Sequence, residues 1–313
     1  MDRNLALELV RVTEAAALAS ARYMGKGDPD AADNAAASAM ELAIGGVKIT
    51  GNIVIGDENV SEESKLRSGS IVGSGGDIEV DLLIDPLESR ESLADGQSNA
   101  ISAVALGPKG GFSELKSKYM QKIAVFPEAA DVIDLDSSVF DNLVRIAAAK
   151  RVYVEDLTVS VLDRERHRGL ISDIRKAGAR IELYRDGDLA AAIAAALPGT
   201  GIDVYMGTGD SRQGVITAAA FSCLRAGFQA RFLKDEDSSG EGIDFSRVYN
   251  ISDLIYGDNI MFAVTGVSNS DFLEGVMFRH GGAMTHSLVL REKSGTIRFL
   301  KTEHFFDMDP DYT

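Results

Sequence analysis

Hydrophobic and polar residues near the N-terminus alternate with the period of amphipathic helices. Apolar side chains recur three and four residues apart over 5–24, which predicts a helix that a Gly-Lys-Gly segment ends. Asp28 and Pro29 then form a start signal, with the aspartate as N-cap and the proline in the first helical turn. This pattern predicts a second helix that runs to about Leu42.

Asp33 lies in the first turns of this second helix, on the same stripe as Ala37, Met40 and Ile44. A carboxylate on an apolar face is costly unless a partner compensates its charge. The alternative is an ordinary first-turn acid that the helix dipole favours. The periodicity leaves both interpretations open.

Apolar strand segments that end in acidic residues come next. Ile53–Gly56 runs into Asp57, and Val80–Ile84 runs into Asp85. Pro86 is predicted to stop the second strand because it cannot donate to a ladder. Carboxylates collected at strand ends suit a hard cation bound through oxygen. Solvated loop acids are the alternative in an acidic protein, but the repeated occurrence favours a metal site.

Two other segments have the pattern of hairpins. Residues 100–106 with the Gly-rich turn at 107–111 are predicted to be part of a hairpin, and 288–300 is predicted to be a complete one with a turn at 292–295. Between them, Lys234–Glu241 has the charged, low-complexity composition of an exposed loop.

From residue 158 strand and helix patterns alternate, which predicts a parallel α/β layer with right-handed crossovers. The predicted strands are 158–162, 180–184 and 202–206, and the predicted helices are 170–177, 189–196 and 215–224. Ligands in such sheets lie beyond the carboxyl ends of the strands. Those ends carry two arginines, then two aspartates, then a Gly-rich segment at 207–214 that is predicted to be a turn opening a helix. Guanidinium groups, carboxylates and helix-terminal N–H groups together predict a pocket for a phosphorylated sugar.

Composition narrows the function classes. The chain has 313 residues with 32 Lys and Arg against 48 Asp and Glu, a formal charge of −16, so nucleic acid and membranes are not expected partners. No apolar run approaches the roughly 20 residues that span a bilayer, and no signal-peptide pattern occurs, so we expect a cytoplasmic protein. The single cysteine, Cys223, falls in an apolar helical stretch and is expected to be buried and unreactive. The four histidines lack metal-ligand spacing and are interpreted as structural or surface residues.

Six short motifs occur together along the chain: Arg11–Ala16, Gly25–Asp28, Ile53–Gly56, Ile84–Glu88, Arg185–Asp188 and Phe278–Gly282. In combination they resemble the class II fructose-1,6-bisphosphatase family, including its cyanobacterial fructose-1,6-/sedoheptulose-1,7-bisphosphatase branch. The resemblance implies an α/β sugar-phosphatase fold, a layered α/β sandwich like that of inositol phosphatases. It implies a metal-site subdomain at 1–156, a sugar-phosphate-binding subdomain at 157–313 in one compact unit, and a homodimer or homotetramer.

The resemblance also implies an activity. Members use Mg²⁺ or Mn²⁺ to assist attack of water on the 1-phosphate of fructose-1,6-bisphosphate or sedoheptulose-1,7-bisphosphate. Metal-ligand positions fall on Asp33, Asp57, Asp85, Glu88 and Gln213. Substrate-binding positions fall on Glu88, Ser89, Arg90, Tyr119, Arg164, Arg166, Asp186, Asp188 and Asp210. Asp33, Asp57 and Arg90 are the expected catalytic residues.

The chain departs from the family pattern at positions where the family binds metal or positions water. Arg90 stands where the family has a threonine that positions water, and Gln213 stands where it has a glutamate ligand. Asp57 replaces a glutamate, and a lysine ahead of Asp33 is missing. Arg90 and Gln213 both disfavour bound cations, and a guanidinium near Glu88 could stand where a cation would bind. Two functions therefore stay open: a phosphatase with weakened or redirected activity, and a non-catalytic paralogue that binds sugar phosphates or regulates an active homologue.

Overall fold

The computed structural model describes residues 4–114, 117–234 and 244–306. The first elements are α1 (Leu5–Ala21), α2 (Pro29–Gly45), β1 (Thr50–Ile55), β2 (Ile71–Val72), β3 (Glu79–Glu88), α3 (Arg90–Ala94) and β4 (Ile101–Pro108). Next come β5 (Tyr119–Val125), α4 (Val139–Lys150), β6 (Thr158–Leu162), α5 (Arg168–Ala177), β7 (Arg180–Tyr184), α6 (Asp188–Ala196), β8 (Val204–Asp210), α7 (Ser211–Leu224), β9 (Gly227–Leu233), β10 (Tyr249–Asn250) and α8 (Ile251–Leu254). The last are β11 (Met261–Gly266), β12 (Met277–Arg279), β13 (Gly282–Arg291) and β14 (Thr296–Phe305). Short 3₁₀ turns occupy Pro127–Ala129, Val154–Asp156, Glu165–His167 and Glu292–Ser294.

The chain divides into two compact units. Unit 1 is Met1–Phe112 with Gly257–Thr313, and unit 2 is Ser113–Tyr256. The predicted functional boundary between residues 156 and 157 falls inside unit 2, just before β6, and remains a prediction. The boundaries of the two compact units lie instead near residues 112 and 257. The chain returns to the first sheet after residue 257 because β11 pairs with β4.

Unit 1 contains an eight-stranded mixed sheet. Its order is β12-β13-β11-β4-β3-β1-β2, with β14 pairing β13, and β1 runs parallel to β3. Helices α1 and α2 contribute Leu9 and Met40 to a core that also contains Leu82 and Val104 of the sheet, all fully buried. The predicted cap of α2 is confirmed: the Asp28 side chain accepts a hydrogen bond from the Ala31 N–H at 2.9 Å.

Two predictions for unit 1 were wrong. Strand β3 does not stop at Pro86 but continues to Glu88, because a register shift between Asp85 and Glu88 leaves the proline outside the regular ladder with β4. The segment 100–111 does not form a hairpin across its Gly-rich turn. Strand β4 pairs instead with β3 and β11, and the turn after it leads the chain into unit 2. The predicted hairpin at 288–300 is confirmed as the longer β13–β14 pair.

Unit 2 contains a six-stranded sheet with the order β10-β9-β5-β8-β6-β7. The alternating strands and helices from residue 158 are confirmed, and β6 runs parallel to both β7 and β8. The sheet as a whole is mixed rather than parallel, because β5 pairs antiparallel with β8 and β9. Ile123 and Val159 of the sheet lie in one core with Ile146 of α4 and Ile174 of α5.

The predicted α/β class is confirmed in both units, each of which combines a mixed sheet with helices. Cys223 is buried on α7, as predicted. Within the described residues, no helix is both long and apolar enough to cross a membrane. Apart from Lys234, the predicted loop at Lys234–Glu241 lies outside the described residues.

Candidate functional site

The acidic residues predicted to bind metal in unit 1 come from three elements. We call Asp33 of α2, Asp57 after β1, and Asp85 and Glu88 of β3 the carboxylate group. Asp33, Asp57 and Glu88 are buried and Asp85 is half-buried. Three buried carboxylates in one unit are costly unless cations or hydrogen-bond donors compensate them, so the group is a candidate functional site.

Asp33 and Asp57 interact electrostatically. Burial, and then the negative charge of Asp57, raise the pKa of Asp33 to about 6, against the opposing effect of Arg90. A carboxyl group with such a pKa changes its charge near neutral pH. Of the two interpretations of Asp33 from sequence, the structure therefore supports the buried carboxylate with partners.

Asp57 is fixed by a close approach of two backbone segments. A Cβ on Gly56 would lie 2.2 Å from the Leu66 carbonyl oxygen, so only glycine fits there. The Gly56 N–H donates to the Ser68 hydroxyl at 3.0 Å, and the Asp57 N–H donates to the Leu66 carbonyl at 3.0 Å. The Asp57 Oδ1 accepts from the Asn59 N–H at 2.9 Å, which orients the carboxylate.

Arg90 begins α3 and contacts the carboxylate group directly. Its Nη1 lies 3.3 Å from Asp33 Oδ2 and 3.1 Å from Asp30 Oδ1, and its Nε lies 3.5 Å from Glu91 Oε1. The guanidinium is about one-third exposed, so its bond to the buried Asp33 is partly screened and its bond to the exposed Asp30 more so. A permanent positive charge thus contacts one of the residues that the resemblance assigns to a metal.

Ser89 precedes Arg90 in a strained conformation. Its φ of 66° and ψ of 40° are left-handed, and its buried hydroxyl has no hydrogen-bond partner within the described residues. We expect Ser89→Gly to raise the free energy of unfolding by about 1 kcal/mol, measured by urea denaturation, because glycine adopts this conformation without a Cβ penalty. Ser89→Ala is the control, since it removes the hydroxyl and keeps the Cβ. Equal effects of the two changes would contradict backbone strain as the cause.

The residues of unit 1 fit a hard divalent cation in one respect. Asp33, whose pKa is raised by burial and then by Asp57, and Asp57 itself supply the carboxylate oxygens that Mg²⁺ or Mn²⁺ prefers. Among the described residues no three His, Cys, Asp or Glu side chains are grouped so that they could hold a metal ion. The fit is therefore to a cation held by Asp33 and Asp57, for which Arg90 is a competitor.

The predicted substrate-binding residues of unit 2 follow the ends of its strands. We call these the sugar-phosphate group: Tyr119, Arg164, Arg166, Asp186, Asp188 and Asp210. The last five follow or end the parallel strands β6, β7 and β8, whose carboxyl ends meet at one edge of a sheet. Gln213 is the third residue of α7.

Several members of the sugar-phosphate group contact one another. Arg164 Nη2 lies 3.8 Å from Asp186 Oδ1. Tyr119 is directly opposite Asp210 in the β5–β8 ladder. The Asp210 side chain caps α7 by accepting from the Arg212 N–H at 2.7 Å, and it forms an ion pair with the Arg212 guanidinium at 3.3 Å. The segment 207–209 is strand rather than the predicted turn, so the helix begins at Ser211.

The backbone of Thr208 orients Arg166, and a buried histidine in turn holds that backbone. Its Nε and Nη2 donate to the Thr208 carbonyl at 3.0 and 2.8 Å. His167 Nε2 accepts from the Thr208 N–H at 2.8 Å, so Nδ1 carries the proton that is donated to the Leu162 carbonyl at 2.7 Å. Burial lowers the pKa of His167, which keeps the ring neutral for these two bonds. A cavity of about 210 Å³ lies beside Arg166 and His167.

Lys122 is the main functional residue that sequence reasoning missed. Its side chain on β5 is 1% exposed, and its Nζ forms an ion pair with Asp188 Oδ2 and donates to the Asp210 carbonyl at 2.9 Å. Gly209 packs against this pair, since a Cβ there would lie 1.8 Å from Asp188 Oδ2. The other oxygen, Asp188 Oδ1, is buried and accepts no hydrogen bond from any described residue. Lys122 therefore joins two members of the sugar-phosphate group, and the second Asp188 oxygen stays buried without a hydrogen bond from the described residues.

The chain is similar to known proteins over nearly its whole length. Residues 3–304 match the family described as bacterial fructose-1,6-bisphosphatase, glpX-encoded. The chain is 36% identical over 330 residues to fructose-1,6-bisphosphatase 1 class 2 of Escherichia coli strain K12, covering 99% of this chain and 98% of that protein. The same identity and coverage relate it to fructose-1,6-bisphosphatase class 2 of Escherichia coli O6:H1 and of Shigella flexneri.

Proposed function

Because the chain belongs to the class 2 fructose-1,6-bisphosphatase family, a family of metal-dependent phosphoric monoester hydrolases, we propose that it hydrolyses the 1-phosphate of fructose-1,6-bisphosphate. The observation that carries the proposal is the sugar-phosphate group, whose arginines and aspartates follow neighbouring strand ends in unit 2. Sedoheptulose-1,7-bisphosphate is the longer ketose bisphosphate to be tested beside it.

In this proposal the substrate is held by charge and hydrogen bonding. Arg164 and Arg166 bind phosphate oxygens, since a guanidinium presents several donors to one anion. Asp186 and Asp188 are proposed to accept from sugar hydroxyls, and the unsatisfied buried Asp188 Oδ1 supports this role. Tyr119, opposite Asp210 across the ladder, presents its partly exposed ring and hydroxyl to the sugar.

Asp33 and Asp57 are proposed to hold the cation, and the resemblance assigns Asp85 and Glu88 of the same unit as further ligands. When bound, Mg²⁺ or Mn²⁺ supplies positive charge to the phosphoryl oxygens and lowers the pKa of a bound water. The chain's own residues hold the negative charge that recruits the ion, and Asp33 must lose its proton to take part. The resemblance assigns Ser89 and Arg90 to substrate contacts; in this proposal Ser89 contacts the phosphate, whereas Arg90 competes with the cation for Asp33.

We propose that the activity is weakened, because Arg90 forms an ion pair with Asp33. The same observation favours the second candidate function, a non-catalytic paralogue that binds sugar phosphates or regulates an active homologue. Self-association into a homodimer or homotetramer and a cytoplasmic location complete the proposal. The lone buried Cys223 suits a reducing compartment.

The test combines phosphate release with calorimetric binding of fructose-1,6-bisphosphate, both with Mn²⁺ or Mg²⁺ and with a chelator. We expect metal-dependent release and binding at micromolar to millimolar ligand. Arg166→Ala should weaken binding about tenfold or more, since a charge-assisted phosphate contact contributes roughly 1.5–3 kcal/mol. Arg168→Ala, at a mostly exposed neighbour, is the matched control.

Three other outcomes have distinct meanings. Binding without release favours the non-catalytic function. Release from sedoheptulose-1,7-bisphosphate alone would identify the longer ketose as the substrate. The absence of both binding and release with every ketose bisphosphate would overturn the proposal.

A further inference from the structure

Strand β14 is a long sheet edge within unit 1. All ten of its residues pair with β13 in one continuous antiparallel register, and it pairs with no other strand in the described ranges. Its sequence contains no proline, and its register shows no bulge. Proteins usually shorten, bend or cover such edges, because the unpaired N–H and C=O groups accept another strand.

The side chains of β14 divide sharply between its two faces. On one face, Leu300 packs against the unit 1 core and His304 is buried. On the other face every residue is exposed, and three of them are large and apolar: Ile297 at 46%, Phe299 at 58% and Phe305 at 58%. Apolar side chains aligned on one exposed face of an edge strand are typical of an interface.

The order of the exposed side chains makes two antiparallel copies of β14 complementary to each other. Around Thr302, the sequence places Lys301 and Glu303 one residue away on either side, and Phe299 and Phe305 three residues away. Residues directly opposite in an antiparallel pair project to the same face of the sheet. If two copies of β14 pair with Thr302 opposite Thr302, each Lys301 faces a Glu303 and each Phe299 faces a Phe305.

We propose that β14 is the contact surface for a second copy of this chain, paired antiparallel about a twofold axis at Thr302. Two copies in this register join two eight-stranded sheets into one, with two ion pairs flanked by two aromatic pairs. The inference is independent of the proposed catalytic activity, since it involves no residue of the carboxylate or sugar-phosphate groups.

The charges of this surface argue for a second copy over an unrelated partner. Each chain carries a net charge of −16, so two copies repel unless opposite charges meet at the contact. Lys301 has no ion pair within the described residues, and Glu303 uses one oxygen to bind Arg279 at 3.3 Å, which leaves Oε2. The Thr302-centred register brings these two groups together twice.

Charge reversal tests the register in the full-length chain. We expect the wild type to sediment at twice 33.4 kDa. Lys301→Glu and Glu303→Lys should each raise the dimer dissociation constant about tenfold or more, because each places like charges opposite one another at two positions. The double variant Lys301→Glu/Glu303→Lys restores opposite charges and should return the constant to near that of the wild type. Lys176→Glu, on α5, is the matched control and should change nothing.

Cross-linking is the second measurement. Thr302→Cys should form an intermolecular disulfide on mild oxidation, since opposite Cα atoms in an antiparallel pair lie about 4.5–5.5 Å apart. The wild type should not, because Cys223 is buried. A monomer at every concentration would overturn the proposal. So would a dimer that both single reversals leave intact and Thr302→Cys does not cross-link.

Discussion

Arg90→Thr is expected to raise the affinity of the chain for Mn²⁺ or Mg²⁺ about tenfold or more, and the rate of phosphate release with it. The change removes a fixed positive charge that lies 3.3 Å from an Asp33 oxygen. A cation that binds Asp33 competes with the attraction between the Asp33 and Arg90 charges. At this distance that attraction exceeds about 1.4 kcal/mol, which is equivalent to a tenfold change in affinity.

The measurement is metal content by elemental analysis beside steady-state phosphate release. Arg11→Thr, an exposed arginine on α1 that pairs with Glu8, is the control and should leave both unchanged. Metal affinity of the wild type should fall as pH drops below 6, since Asp33 then takes up a proton. In Arg90→Thr the fall should begin at higher pH, because Arg90 lowers the pKa of Asp33. A wild type already saturated with metal and as fast as the variant would contradict this account of Arg90.

Lys122→Met is expected to lower the free energy of unfolding by about 3–5 kcal/mol and to abolish sugar-phosphate binding. Methionine preserves the length of the side chain but leaves the Asp188 carboxylate buried without its cation. An uncompensated buried charge lowers the stability of the folded state strongly. It also removes the hydrogen bond to the Asp210 carbonyl, so two binding residues lose their support.

Lys122→Met/Asp188→Asn separates stability from binding. The double variant should regain most of the stability, as no uncompensated charge remains, but should not regain ligand binding. Urea denaturation and calorimetry measure the two effects. Lys109→Met, which breaks the exposed pair with Glu79, is the control and should leave the free energy of unfolding nearly unchanged. Normal ligand binding by Lys122→Met would show that the lysine has only a structural role.

Local periodicity predicted much of the fold because the elements concerned are defined by their own residues. Strands β6 and β7 lie where alternation placed them, and the Asp28 cap forms as the Asp-Pro signal indicated. The bulge at Pro86 was missed because it depends on pairing with β4. Gly209 was assigned to a turn for a similar reason, since the contact that explains it is with the Asp188 side chain.

In the candidate site, too, the features that local sequence did not predict depend on contacts between distant residues. Strand ends and the family resemblance predicted the identity of the site residues, whereas contacts between residues distant in sequence determine the environment of each side chain. The Arg90–Asp33 pair joins residues 57 positions apart, and the Lys122–Asp188 pair joins residues 66 positions apart. The buried lysine did leave a signal, because strand alternation puts Lys122 on the same face as Met120 and Ala124, which are both fully buried.

The order of strands in unit 1 has a consequence for synthesis of the chain. Unit 2 is complete once residue 256 has left the ribosome, whereas β4 must wait for β11, which begins at Met261. Until then the nascent sheet ends at β4, whose eight residues all become buried or nearly so in the finished protein. Pairing Leu106 with Met261 closes a loop of more than one hundred residues, which slows folding. Translation that stalls between β10 and β11 would therefore expose this apolar edge, and chaperones would be needed most at that stage.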